Sequence, residues 1–267
     1  MKTMNSDHKI VRDTLSVRRW IEKQPTVKEK SITDWLLYTI SEKIPRVTCK
    51  SFTRTDEART TGADWEWWLV YPRYSFKMRV QAKKIFTKKD NYSGIAHTNQ
   101  YGLQIDKLLT DAMQKNYAPF YAFYTAETDK VLCSNNVNDE GVYIAGGTNV
   151  YNTFITSGKR QVHTSDILAM SIALSCLFGC PVMIDHGDEG PIAFFHRYYA
   201  DEIRRNPNVS VDQPFSEENI LGFHSKIPNY IATLLERKQN VPDWWESEFS
   251  YDLQGTNAIF VYDGRNL

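Results

Sequence analysis

The order of elements legible over residues 31–124, helix, strand, strand, helix, strand, predicts an α/β protein built on a mixed sheet flanked by helices. Two observations carry this. WEWWLV (65–70) and FKMRVQAKKIF (76–86) are rich in β-branched and aromatic residues and flank Tyr71-Pro72-Arg73-Tyr74-Ser75, which has the composition of a hairpin turn. Ahead of them, SITDWLLYTISEKI (31–44) opens on a Ser with an acidic residue three positions later. Its residues Ile32, Trp35, Leu36, Ile40 and Ile44 form one apolar stripe, and Pro45 ends the helix.

The remaining elements follow in order. Ile10, Val11, Leu15, Trp20 and Ile21 share a face at helical spacing over residues 8–23, and the arginines there read as a solvated face. Val47–Phe52 reads as an edge strand. Residues 98–115 place Leu103, Leu108, Leu109 and Ala112 near helical spacing with Gln100 and Gln104 one turn apart, and residues 119–124 read as a buried strand. Residues 1–128 thus form a core with N-terminal helices. Residues 129–267 form an elaborated α/β region, either an accessory subdomain or a continuation of the same domain. There the pattern predicts short strands within 131–134 and 141–154, and a nearly apolar helix from a Thr164 or Ser165 cap to Gly179. A strand at 180–184, a helix from Pro191 to Arg205, a helix over 217–238 broken at Pro228 and a strand at 258–262 follow.

Composition bounds the function classes. A formal net charge of zero excludes coating of nucleic acid by bulk charge, so any nucleic-acid contact has to come from a local patch. Four scattered cysteines do not make a disulfide framework and read as reduced thiols. The first residues carry no apolar targeting core, and no run of about 18 apolar residues occurs, so a cytoplasmic protein without a membrane partner is expected.

The chemistry-bearing residues gather at the hairpin. Side chains alternate along its second strand, so Lys77, Arg79, Gln81 and Lys83 share one face while Met78, Val80 and Ala82 share the core face. Asp64 opens the first strand, and Gln81 and Lys83 can both point to that place. Phosphodiester hydrolysis needs a divalent cation to polarise the phosphate and activate water, with positive charge where the transition state is most anionic. Hard oxygen donors suit Mg²⁺ (or Mn²⁺). Asp64, Glu57 on the approach to the hairpin, the Gln81 amide oxygen and the Ala82 carbonyl offer such donors, and Lys83 offers the ammonium.

Gly62-Ala63-Asp64, an apolar strand and then Val80-Gln81-Ala82-Lys83 resemble the PD-(D/E)xK, or restriction-endonuclease-like, nuclease superfamily in its Mrr-like D…QxK variant. The resemblance covers roughly residues 31–125. It implies a restriction-endonuclease-like sheet and a DNA endonuclease activity, with DNA favoured over RNA. Asp64 would be the principal metal ligand, Gln81 the second motif residue, Lys83 the residue that orients or activates the water, and Glu57 an additional acidic ligand. Gln104 on the following helix would project into the same site. A homodimer is compatible, because one such site cuts one strand at a time, and a bacterial or phage defence or toxin role is the context implied. Glycine stands where the superfamily's proline would, and neutral Gln81 stands where a carboxylate is usual. A catalytically inactive relative that binds nucleic acid or a protein partner is therefore the alternative.

Arg73, Lys77, Arg79, Lys83, Lys84, Lys88 and Lys89 lie within residues 73–89 with no acidic residue among them, the one stretch that would supply a phosphate-facing stripe. Lys88 and Lys89 read equally as a solvated strand edge. Trp65, Trp67 and Trp68 read as core rather than base-stacking residues, and Glu66 shares the parity of Asp64. Asp185-His186-Gly187-Asp188-Glu189 reads as a loop, and Cys176 and Cys180 as core residues one helical turn apart.

Overall fold

A computed structural model describes residues 4–52, 61–85, 94–100, 102–127, 131–132, 140–158, 162–179, 190–205, 216–238 and 240–265. Two N-terminal helices, α1 (Met4–Lys23) and α2 (Glu29–Lys43), lead into β1 (Val47–Ser51). The hairpin follows as β2 (Trp65–Val70) and β3 (Ser75–Lys84). A two-stranded ribbon, β4 (Thr98–Asn99) and β5 (Gly102–Leu103), runs directly into α3 (Gln104–Gln114), and β6 (Ala118–Tyr124) comes next. Then come β7 (Val142–Gly146), α4 (Gly147–Val150) with a π-helical turn at Tyr151–Ile155, α5 (Thr164–Leu168), β8 (Ile172–Ala173) and α6 (Cys176–Gly179). The last elements are α7 (Gly190–Ile203), β9 (Phe223–His224), α8 (Asn229–Arg237), α9 (Trp245–Glu248) and β10 (Ala258–Asp263).

The strands form one open mixed sheet in the order β1-β10-β2-β3-β6-β7-β8, with β9 added to the start of β3. β10 lies antiparallel to β1 and parallel to β2, so strands from both sides of residue 128 share the sheet. Helices cover both faces. Trp65, Trp67, Met78, Val80 and Phe120 pack beneath Ile32, Leu36 and Ile40 of α2 and Phe195 and Tyr199 of α7. On the opposite face two separate apolar clusters form. Ile105 and Leu108 of α3 cover Tyr121 and Phe123, while Tyr230, Ile231 and Leu234 of α8 and Trp245 of α9 cover Trp68, Val70 and Ile259. The polar face of β3 runs in the gap between them.

Several sequence expectations are corrected. α2 starts at Glu29, two residues before Ser31, with Lys28 at the cap position and no side-chain capping bond. Gln100 lies in the β4–β5 turn and not on α3, which starts at Gln104. The apolar run expected as one helix to Gly179 is broken by β8, because pairing Ile172 and Ala173 with β7 buries them as well as a helix would and satisfies the sheet edge. Val131 and Leu132 are not in a strand, and Leu132 instead donates its N–H to the Ser171 carbonyl. The segment before Pro228 is turn and strand, so that α8 begins only at Asn229. The strand expected at 180–184 lies outside the described residues. No helix among the described residues is long and apolar enough to cross a membrane.

Two buried carboxyls tie the periphery to this sheet. Glu140 accepts from the Thr14 hydroxyl of α1 at 3.1 Å and from the Ser175 hydroxyl, and Glu202 of α7 accepts the Asn149 N–H at 2.7 Å. Burial pushes both up from 4.5 to about 7. Between pH 4.5 and 7 the folded state therefore binds more protons than the unfolded state, and stability falls as pH rises through that window. Urea denaturation at pH 5 and pH 8 is expected to show the lower stability at pH 8, by at most about 3 kcal/mol per carboxyl. Glu140→Gln should remove its share of that difference.

Candidate functional site

Asp64 is placed by the three residues before it. Thr61 donates its hydroxyl to the Gly255 carbonyl at 2.5 Å and accepts the Ala63 N–H at 3.2 Å. Gly62 has φ +65°, and a Cβ there would stand 2.6 Å from the Gln104 carbonyl of α3. Only glycine meets both conditions, a left-handed backbone and contact with the first turn of a helix. Asp64 then enters the sheet by donating its N–H to Val80 at 2.8 Å.

The Asp64 carboxylate faces the end of β3. Its Oδ2 accepts from Gln81 Nε2 and from the Ala82 N–H, both at 2.5 Å. Gln81 Nε2 also donates to the Ala82 carbonyl at 2.9 Å, and Gln81 Oε1 accepts from Gln104 Nε2 at 2.7 Å. Gln104 Oε1 in turn accepts from Lys83 Nζ at 2.8 Å. This chain fixes the orientation of both amides, because a reversed Gln81 would set its oxygen against the Asp64 carboxylate and the Ala82 carbonyl. Gln81 is therefore a donor to Asp64 in this arrangement and not an oxygen ligand, and the Ala82 carbonyl is already engaged.

A second carboxylate arrives from a residue that sequence reasoning missed. Glu29, in the first turn of α2, accepts the Lys84 N–H at 2.6 Å. Burial raises its carboxyl from 4.5 to about 7; Lys83 opposes the shift and Asp64 adds to it. Glu29 thus lies close enough to both to feel their charges. The only sequence signal was an acidic residue at the start of a helix leading toward the sheet, a signal shared with ordinary dipole-stabilising residues. Tyr121, opposite Gln81 in the β3–β6 register, buries its hydroxyl among these groups without a hydrogen-bond partner among the described residues. Asp64, Glu29 and Lys83 remain partly exposed. Two hard carboxylates at an accessible rim suit a Mg²⁺-like ion, which takes few protein ligands and keeps several waters. No group of three or more His, Cys, Asp and Glu side chains able to hold a metal gathers among the described residues. Glu57 and the 185–189 cluster lie outside them, as do Lys88, Lys89 and Cys180.

The expected basic stripe is corrected by burial. Arg79 is fully buried, paired with Glu66 at 3.4 Å and Asp111 at 3.2 Å, donating to Thr256 at 2.6 Å and lying over the Tyr117 ring at 4.3 Å. Glu66 stands directly across from it in the β2–β3 register and also accepts from the Tyr230 hydroxyl at 2.5 Å. Lys84 points to the other face, where its ammonium donates to the Pro25 carbonyl and, at 2.6 Å, to that of Val27. Lys77 is nine-tenths buried against Tyr117. Arg73 is exposed, but in the β2–β3 turn, at the opposite end of the hairpin from Asp64. Alternation predicts which face a strand residue takes and not how deeply that face is covered. Trp65, Trp67 and Trp68 are buried, as core residues.

Together these features describe a mixed α/β protein whose sheet end carries a carboxylate, amide and ammonium cluster. The chain belongs to DUF6615, a family of unknown function, which matches residues 6–264. No curated protein and no solved structure matches it.

Two substitutions test this placement. Arg79→Ala strands the Glu66 and Asp111 charges and is expected to cost about 3–5 kcal/mol, whereas Arg73→Ala should change stability by less than about 0.5 kcal/mol; chemical denaturation reads both. Gly62→Ala should cost about 1–3 kcal/mol from backbone strain alone, measured in the same way.

Proposed function

We propose that this protein is a metal-dependent phosphodiesterase acting on nucleic acid, DNA before RNA, and that its sheet is of the restriction-endonuclease-like kind. The observation that carries the reading is the hydrogen-bonded chain of Asp64, Gln81, Gln104 and Lys83, with Glu29 on the next N–H of β3, that of Lys84. Asp64 and Glu29 would hold a divalent cation such as Mg²⁺ or Mn²⁺, which when bound supplies polarisation of the phosphate and activation of water. Gln81 and the Ala82 N–H hold the Asp64 carboxylate through one oxygen, so that its direction is set before substrate arrives. Lys83, steered by Gln104, brings positive charge to the rim where the phosphate would gain negative charge.

A second reading is favoured by a specific observation. Gln81 adds no charge, and Arg79 and Lys84 are committed to the interior, which leaves a weaker electropositive surface than a nuclease commonly presents. A catalytically silent protein that binds nucleic acid or a partner protein has these properties.

The two are separated with purified protein, plasmid DNA and Mg²⁺ or Mn²⁺. The hydrolytic reading expects cleavage that falls about 100-fold or more in Asp64→Ala and in Lys83→Ala. Glu29→Gln, which removes the second carboxylate, should lower cleavage as well and raise the Mg²⁺ concentration needed for half-maximal rate. Retention of a DNA or RNA probe without cutting in either metal would overturn hydrolysis and support the binding reading.

A further inference from the structure

A second polar opening lies on the same sheet face, at the other end of β3. It is a cavity of about 450 Å³, within the ~300–1,000 Å³ usual for small-molecule sites. Lys77 and Lys83 are six residues apart on β3, which puts this cavity about 20 Å from the Asp64 site at ~3.3 Å per residue.

Its lining is cationic and aromatic. Lys77 forms the floor, nine-tenths buried, with its ammonium 3.9 Å from the Tyr117 ring centroid and 5.5 Å from that of Trp68. No carboxylate among the described residues lies within ion-pair distance of it. Burial correspondingly lowers this ammonium from 10.5 to about 8. Lys115 and Lys226 also line the wall, and Asp252 is the one carboxylate of the lining. Lys115 is partly neutralised by Asp111 at 3.0 Å, but Asp111 is shared with Arg79. Glu66, Asp252 and Asp111 act on the Lys77 ammonium only from a distance and do not offset its burial, and a buried cation in contact only with ring faces gains when an anion joins it. Tyr251, 80% exposed, lines the cavity together with Ile227 and Pro228. A large planar surface kept in water next to lysines suits an aromatic ring that carries a phosphate.

We infer that this cavity binds a nucleoside monophosphate group, its phosphate on Lys77, Lys115 and Lys226 and its base against Tyr251. The site stands apart from the hydrolytic reading of Asp64. A free nucleotide and the phosphorylated end of a strand present the same chemistry to these residues.

Calorimetric titration of the full chain with AMP, adenosine and inorganic phosphate tests the inference. AMP should bind at least tenfold more tightly than either fragment. Lys226→Ala and Tyr251→Ala change exposed side chains and should each weaken AMP several-fold with an unchanged melting temperature. Lys77→Met should remove binding, and Asp64→Ala should leave it intact. A 5′-phosphorylated trinucleotide that binds more tightly than AMP would assign the site to a strand end, and equal binding would assign it to the free nucleotide. The inference fails if AMP binds no better than phosphate, or if its binding survives Lys226→Ala and Tyr251→Ala together.

Discussion

The Arg79 guanidinium has to be neutralised inside the protein, and the elements around it are arranged to do so. Glu66 comes from the neighbouring strand, Asp111 from α3, Thr256 from the segment before β10 and the Tyr117 ring from the residue just before β6. A charge at this depth is tolerated only when opposite charge and hydrogen bonds surround it. The two apolar clusters beneath α3 and α8 consequently stay apart on this face, with a polar seam between them. That seam runs along β3 and reaches the surface at both ends. At one end lie Asp64, Glu29 and Lys83, and at the other Lys77 and its cavity. Tyr117 links the buried ion cluster to the Lys77 end, and α3 links it to the Lys83 end.

Neighbouring side chains on one strand face thus meet different fates. Lys77, Arg79, Gln81 and Lys83 alternate regularly, yet Arg79 is sealed while Lys83 stays accessible, because α3 crosses the seam with Asp111 over Arg79 and Gln104 beside Lys83. The spacing of Gln104 and Asp111 along that helix decides which cation is sealed and which stays accessible.

Much of this was legible where the signal is local. The hairpin, β6, β10 and helices near 8–23, 31–44 and 98–115 follow from hydrophobic period and turn chemistry, and Asp64, Gln81, Lys83 and Gln104, named through them, lie in one hydrogen-bonded chain. What stayed hidden is non-local. The placement of β10 between β1 and β2 leaves no trace in either sequence, and Glu29 joins the site only because α2 docks with its first turn against the end of β3. An apolar run such as residues 166–179 carries no period that separates a buried helix from a buried strand, so the break at β8 was equally silent. The depth of Arg79 depends on partners 13 or more residues distant, among them Glu66 and Asp111.

The position of β10 has a consequence for how the molecule comes into being. Residues 258–263 fill a gap between strands made some two hundred residues earlier, and the backbone just before them holds Thr61 and Asp64 in place. Such distant pairing is slow to form. During synthesis, β1 and β2 cannot be joined until the ribosome has delivered this strand, and the contacts of Gly255 and Asn257 with Thr61 and Asp64 form only then. A chain that stops short of it lacks both the strand that joins β1 to β2 and the backbone groups that hold Thr61 and Asp64.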